Sequence, residues 1–196
     1  MKIIDTEFEG LKIIELDVFG DGRGRFFETW SAKRYVEAGI DCAFVQDNVS
    51  VSQCGVLRGM HWQSGEKAQA KLVCVLSGAV LDVVVDIREE SKTFGKWMTV
   101  ELSSMNGRQF FIPRGFAHGF LALQNNTVFS YKCDNGYDKA SERGFRYDDP
   151  DIGILWPDIG KGFILSDKDK LHPSFREACH STRQGTEERE SVSTND

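Results

Sequence analysis

The sequence predicts an all-β fold, a sandwich or barrel of short strands with a few short peripheral helices. Three observations carry this prediction. Apolar residues rarely recur at the helical period, β-branched apolar runs fill the middle of the chain, and Gly, Asn and Pro clusters separate those runs.

Taken in order, the first element is a short helix from Ser31 to Ala38, opened by a capping-type serine and closed by Gly39. Phe44 to Ser52 alternates as a strand, with Gln46, Asn48 and Ser50 on one face and Val45, Val49 and Val51 on the other. Its polar face suits either solvent or a barrel lumen that holds a polar ligand, with the valine face packed outside. Lys71 to Leu76 and Ala79 to Ile87 are apolar β-branched runs, and Ser77-Gly78 between them predicts a hairpin. Strands follow at Lys96 to Leu102, Arg108 to Ile112, Phe116 to Leu123 and Thr127 to Cys133. Asn106-Gly107, Pro113-Arg114-Gly115 and Asn125-Asn126 punctuate them.

At 196 residues and 40% hydrophobic, the chain supports one domain with a sizeable core, assigned to residues 1–180. From Ser181 to Asp196 the only apolar residue is Val192, so this segment is expected to be a disordered tail. The net charge of −6 argues against nucleic-acid binding, so any bound phosphate must meet a local basic pocket. The N-terminus lacks a signal-type apolar region, and no apolar run nears the ~20 residues that span a bilayer. A cytoplasmic protein without membrane partners is expected. The five cysteines have no zinc-knuckle or CxxC spacing and are expected to be reduced thiols in apolar surroundings.

Gly55 leads by five residues to His61 and then Gln63, and Gly107 leads by five residues to Pro113-Arg114-Gly115 and then His118. This pair of spacings resembles the cupin superfamily, which implies a small jelly-roll barrel. Metal-binding cupins supply two histidines and a glutamate from the first segment. Here Gln63 replaces the second histidine, and Lys67 and Ala68 stand where the glutamate is expected. His61 and His118 alone leave a divalent metal short of ligands, and Lys71 would repel it, so no metal is expected. A histidine in a metal-free lumen suits proton transfer, provided a carboxylate orients it and other groups donate a proton and stabilise negative charge.

The strings Asp21-Gly-Arg-Gly-Arg-Phe-Phe-Glu28, Phe44-Val-Gln-Asp-Asn-Val-Ser50, Gly55-Val-Leu-Arg-Gly-Met-His61, Gly115-Phe-Ala-His-Gly-Phe120 and Ser130-Tyr-Lys132 resemble the dTDP-4-dehydrorhamnose 3,5-epimerase family. Asp148-Asp-Pro150, Trp156-Pro157 and Ser166-Asp-Lys-Asp169 extend the match in order. The resemblance implies a cofactor-free homodimer that converts dTDP-4-dehydro-6-deoxyglucose to dTDP-4-dehydrorhamnose by proton exchange at C3 and C5. It implies that His61 is the base, Asp169 its partner and Tyr131 the acid on the opposite face. Lys71 would stabilise the enolate; without the resemblance it would be taken for a surface lysine at a strand end.

For the nucleotide and sugar the resemblance points to Arg23, Phe26, Glu28, Gln46, Asp47, Asn48, Arg58, His118, Tyr137, Glu142 and Lys168, together with Lys71. The segment from Arg23 to Glu28 would complete the partner's pocket. Taken singly, Arg23 and Lys168 also suit solvated charges, Phe26 and Tyr137 packing, and Glu142 a loop carboxylate. Arg58 and His61 differ in strand parity, so both can face inward only if Gly59 hosts a bulge. Inversion at C3 alone or C5 alone, or binding of a nucleotide sugar without turnover, are the other outcomes open to such a chain.

Overall fold

The computed structural model describes residues 1–180. The predicted tail at 181–196 lies outside the described residues. Two antiparallel sheets face each other. The first contains β1 (Lys2–Asp5), β2 (Lys12–Glu15), β5 (Gln46–Ser52), β7 (Lys71–Ser77), β10 (Arg108–Ile112) and β12 (Thr127–Cys133), ordered β1-β2-β10-β7-β12-β5. The second contains β6 (Leu57–Gln63), β8 (Ala79–Asp86), β9 (Trp97–Ser103), β11 (Phe116–Ala122) and β13 (Glu142–Gly144), ordered β13-β6-β11-β8-β9. A separate ribbon pairs β3 (Phe19–Asp21) with β4 (Gly24–Phe26). Helices are short: α1 spans Ala32–Glu37 and α2 Asp167–Lys170. No helix among the described residues is long and apolar enough to cross a membrane.

Apart from the outer face of β5, both faces of each sheet are largely covered. Val73, Val75, Val80, Val84, Phe110, Phe120 and Phe129 form the core between the sheets. Tyr35 of α1 packs with Ile14, Leu72 and Phe111 outside the first sheet, where its hydroxyl donates to Gln109 Oε1 (2.5 Å). Met60, Trp62, Val83 and Val85 pack outside the second sheet against Phe145, Ile154 and Phe175. Burial on two sides explains why β8 has no polar alternation.

The hairpin expected at Ser77-Gly78 does not form. β7 pairs with β10 and β12, whereas β8 pairs with β11 and β9. A single linking residue is too short for a hairpin loop. Gly78, at φ +80°, instead turns the chain from one sheet into the other, with Thr127 packed so close that a Cβ would lie 2.4 Å from its Oγ1. Asn106-Gly107, Pro113 to Gly115 and Asn125-Asn126 also mark passages between sheets. β1, β2 and the β3–β4 ribbon were not anticipated, being too short for a periodic signal. β5 presents Gln46, Asn48 and Ser50 inward, but its outer face is not packed: Val45, Val49 and Val51 are 67%, 62% and 61% exposed.

Candidate active site

A cavity of about 240 Å³ opens between the two sheets. The first sheet contributes Ser50 from β5, Lys71 from β7, and Phe129 and Tyr131 from β12; the second contributes Arg58 and His61 from β6 and His118 from β11. Ser166, Lys168 and Asp169 close one side.

Arg58 and His61 both reach this cavity because β6 is bulged. His61 is opposite His118 and Arg58 is opposite Phe120, so Gly59 and Met60 together face the single residue Gly119. Gly59 has φ +140° and its Cα lies against Gly119, leaving no room for a side chain at either position.

Local chain chemistry aims Asp169. Ser166 caps α2, its hydroxyl accepting from the Asp169 N–H (3.1 Å) and donating to Asp169 Oδ2 (2.9 Å). Leu57 N–H donates to Ile164 O (3.0 Å) and Ile164 N–H to Gly55 O (2.8 Å), which ties this segment to the start of β6. Asp169 Oδ1 thereby lies 2.5 Å from His61 Nε2. Asp167 points away, 97% exposed and paired with Lys170. Burial alone would raise the Asp169 carboxyl, but hydrogen bonds from His61 and Ser166 and the nearby His172 imidazole outweigh it and hold Asp169 far below the usual carboxylate range. Burial lowers the His61 imidazole, opposed by Asp169. With Nε2–H committed to Asp169, Nδ1 retains the free lone pair.

His118 belongs to a second imidazole–carboxylate pair. Its Nε2 lies 3.0 and 2.9 Å from the two oxygens of Asp82, a residue with no solvent exposure whose carboxyl is raised by burial. Lys71, a possible surface lysine on sequence grounds, points into the cavity with its Nζ 6.0 Å from the Tyr131 ring centroid. Burial depresses the Lys71 ammonium and raises the Tyr131 phenol.

Four other predicted residues gather beside Lys168. Glu142 accepts from Lys168 Nζ (2.7 Å) and from the Tyr137 hydroxyl (3.1 Å), while Gln46 Oε1 accepts from the Tyr137 N–H (3.0 Å) and Gln46 Nε2 donates to Asn48 Oδ1 (3.0 Å). Four further predicted residues are brought neither to this cavity nor to the group beside Lys168. Asp47 lies on the outer face of β5, where strand alternation puts it against Lys132 (2.9 Å). Arg23 and Phe26 lie on the exposed ribbon, Arg23 paired with Asp21, and Glu28 pairs with Arg34 at 3.0 Å.

Sequence reasoning missed Asp82, Ser50 as a lining residue, Ser166 as the cap of Asp169, and His172. Asp82 had a signal, a carboxylate in the middle of an apolar strand. Ser50 Oγ is buried without a hydrogen-bond partner and lines the cavity. His61, Asp169 and His172 set ligand-type atoms within 4.8 Å of one another. The 2.5 Å His61–Asp169 contact is a hydrogen bond, shorter than the ~3.3 Å that separates two ligands on ~2.0 Å bonds around a tetrahedral zinc, so proton sharing describes the cluster better. Gln63 Oε1, where metal-binding cupins carry histidine, accepts from the Asp138 N–H (3.2 Å).

The model of the dTDP-4-dehydrorhamnose 3,5-epimerase family matches residues 5–177. The enzyme of that name from Shigella flexneri is 50% identical over 179 residues, 91% of this chain and 98% of the relative. A crystal structure of dTDP-6-deoxy-D-glucose-3,5-epimerase from Legionella pneumophila, in complex with dTDP-4-keto-L-rhamnose, is 51% identical with a TM-score of 0.86, covering 89% of this chain and 93% of that one. A 3'-monoepimerase from Streptomyces bikiniensis, in complex with dTDP-quinovose, is 34% identical with a TM-score of 0.85, covering 95% and 96%. The fold is the cupin-type jelly roll of these epimerases.

Proposed function

Because the chain belongs to the dTDP-4-dehydrorhamnose 3,5-epimerase family, we propose that it is a 3,5-epimerase that converts dTDP-4-dehydro-6-deoxyglucose to dTDP-4-dehydro-β-L-rhamnose. One observation carries the reading: His61 and Tyr131 come from opposite sheets and flank the same cavity. Inversion at carbon needs a proton removed from one face and returned to the other, and a cavity with an imidazole on one wall and a phenol on the opposite wall suits that need.

In this reading the C4 ketone acidifies the C3 and C5 protons. His61 Nδ1 takes each proton in turn, with Asp169 balancing the imidazolium that results. The Lys71 ammonium stabilises the enolate oxygen in a cavity with little water, where a charge acts more strongly than in bulk. The Tyr131 phenol then protonates carbon from the other face. Arg58 and Lys168 bind the diphosphate, and Tyr137, Gln46, Asn48, Glu142 and His118 the rest of the nucleotide sugar. No cofactor is required.

The same reading makes the enzyme a cytoplasmic homodimer. The exposed valine face of β5, at the edge of its sheet, and Phe19 and Phe26, 64% and 71% exposed on the ribbon, suit burial against a second copy. The ribbon would carry Arg23, Phe26 and Glu28 to the partner's cavity. Asp47, on the outer face of β5, contributes from beside that contact.

The test is proton exchange followed by NMR in heavy water with dTDP-4-dehydro-6-deoxyglucose. Deuterium at both C3 and C5, lost in His61→Ala, is expected. Deuterium at one carbon alone, C3 or C5, would make the chain a mono-epimerase, as the 34% identical relative is named for the 3' position. None at either carbon would leave a nucleotide-sugar binder without turnover.

A further inference from the structure

His172 has no part in the chemistry described above, yet it stands directly against the His61–Asp169 pair. Its Nε2 lies 3.4 Å from Asp169 Oδ1, the oxygen that His61 Nε2 meets at 2.5 Å. Its ring meets the His61 ring edge-on, with centroids 5.1 Å apart. The Nε2 atom is buried and has no partner at hydrogen-bond geometry, so Asp169 is its electrostatic counterpart.

The chain is built to hold the ring there. Gly144 of β13 is opposite His61 in the register, and a Cβ on Gly144 would fall 2.5 Å from His172 Cε1 and 2.7 Å from Nε2. Leu171 N–H bonds to Lys168 O (3.0 Å) on one side of His172, and Arg146 N–H bonds to Pro173 O (2.9 Å) on the other.

We propose that His172 is a positioning residue that shares Asp169 Oδ1 with His61 and so limits how firmly the carboxylate holds a proton on the base. The proposal rests on His61 being that base. Asp169 must balance the imidazolium formed when carbon is deprotonated, but a carboxylate free to serve His61 alone would keep the proton and slow the return of the base to its neutral form. With its Nε2 3.4 Å from the same oxygen, His172 draws on that oxygen's charge, and any positive charge on His172 opposes one on His61 at 5.1 Å. Both effects act in one direction, and His172 contributes to the lowering of both His61 and Asp169. The other charged or titratable groups around His61 are Lys168 on α2, Glu142 on β13, Arg58 on its own strand, His118 across from it, and Lys71 and Tyr131 on the opposite sheet.

Two substitutions separate positioning from packing. His172→Phe keeps a ring against His61 and removes the N–H and the charge; His172→Gln keeps an N–H donor and loses the ring. The chain has four histidines, so imidazole resonances in ¹⁵N-histidine protein are few enough to titrate one by one without substrate. The acid limb of kcat/KM for deuterium exchange gives an independent value.

The expected result is an upward shift of about half a pH unit or more in both readouts for His172→Phe, with His172→Gln returning most of the way to wild type. Unchanged His61 titration and acid limb in a folded His172→Phe protein would overturn the proposal, as would a Gln variant shifted as far as the Phe variant. If wild-type exchange does not depend on His61, the function reading fails and the proposal with it. A wild-type enzyme that needs His61 but ignores His172 removes only the proposal.

Discussion

Gly59 and Gly119 touch backbone to backbone between β6 and β11: a Cβ on Gly59 would lie 2.6 Å from Gly119 Cα, and one on Gly119 would lie 2.7 Å from Met60 Sδ and 2.8 Å from Arg58 O. This approach permits the bulge that turns Arg58 and His61 toward one cavity. Gly119→Ala and Gly59→Ala are each expected to cost about 1–3 kcal/mol of stability, Gly59 more because its φ of +140° disfavours a side chain. Denaturant unfolding measures the cost, and kcat/KM should fall further than the loss of folded protein explains.

Asp169→Asn should leave the fold intact and lower kcat about 10²–10⁴-fold, because His61 loses the charge that balances its imidazolium. Steady-state kinetics check this, and an effect confined to KM would contradict it.

Asp86 tests a part of the fold outside the site. Burial opposes its charge, but Arg88, Thr93 and Ser91 hydrogen-bond the carboxylate, and its pKa falls from 3.8 to about 2. A depressed carboxyl contributes stability that is present above its unfolded value and lost as pH falls through the folded one. The contribution should therefore be whole above about pH 4 and disappear toward about pH 2, and Asp86→Asn should remove about 1–2 kcal/mol at neutral pH. Unfolding free energies across that window would show the variant's acid dependence to be shallower.

Ser50→Ala removes a buried hydroxyl that has no protein partner. An unsatisfied polar group costs about 1–3 kcal/mol, so the melting temperature should hold or rise. If the hydroxyl binds the nucleotide sugar, kcat/KM should fall several-fold in the same protein. Thermal melts beside kinetics separate the two effects.

Val49→Lys places a charge in the exposed valine face of β5. If the enzyme is the proposed homodimer, this should convert it to a monomer in light scattering and weaken turnover, since in that reading the ribbon residues would no longer reach a partner's cavity. A variant that remains dimeric would place the contact elsewhere.

Much of the site was legible through the family's ordered motifs. Asp169 stood out because the family pattern puts an aspartate three residues after a serine, and only the structure shows why: Ser166 caps the helix and takes the Asp169 N–H. The side that the polar residues of β5 face was not legible from alternation, because a polar strand face suits solvent as well as a lumen; only the family resemblance favoured the lumen. Asp82 and His172 escaped for another reason. Each gains its meaning from a partner, His118 or the Asp169–His61 pair, that only folding brings near.

By itself the sequence determined where most of the longer strands lie, from turn residues and β-branched runs, and which side chains form the family's ordered motifs. The tertiary structure decided which sheet each strand joins: Ser77-Gly78 marked an end correctly, but β7 and β8 parted to different sheets. A turn residue acts on its own backbone, whereas sheet pairing depends on hydrogen-bond partners far along the chain, and strands buried on both faces carry no alternation to reveal them. For the same reason the meeting of Arg58 with His61 depended on a backbone contact at Gly119, sixty residues from Gly59 in the chain.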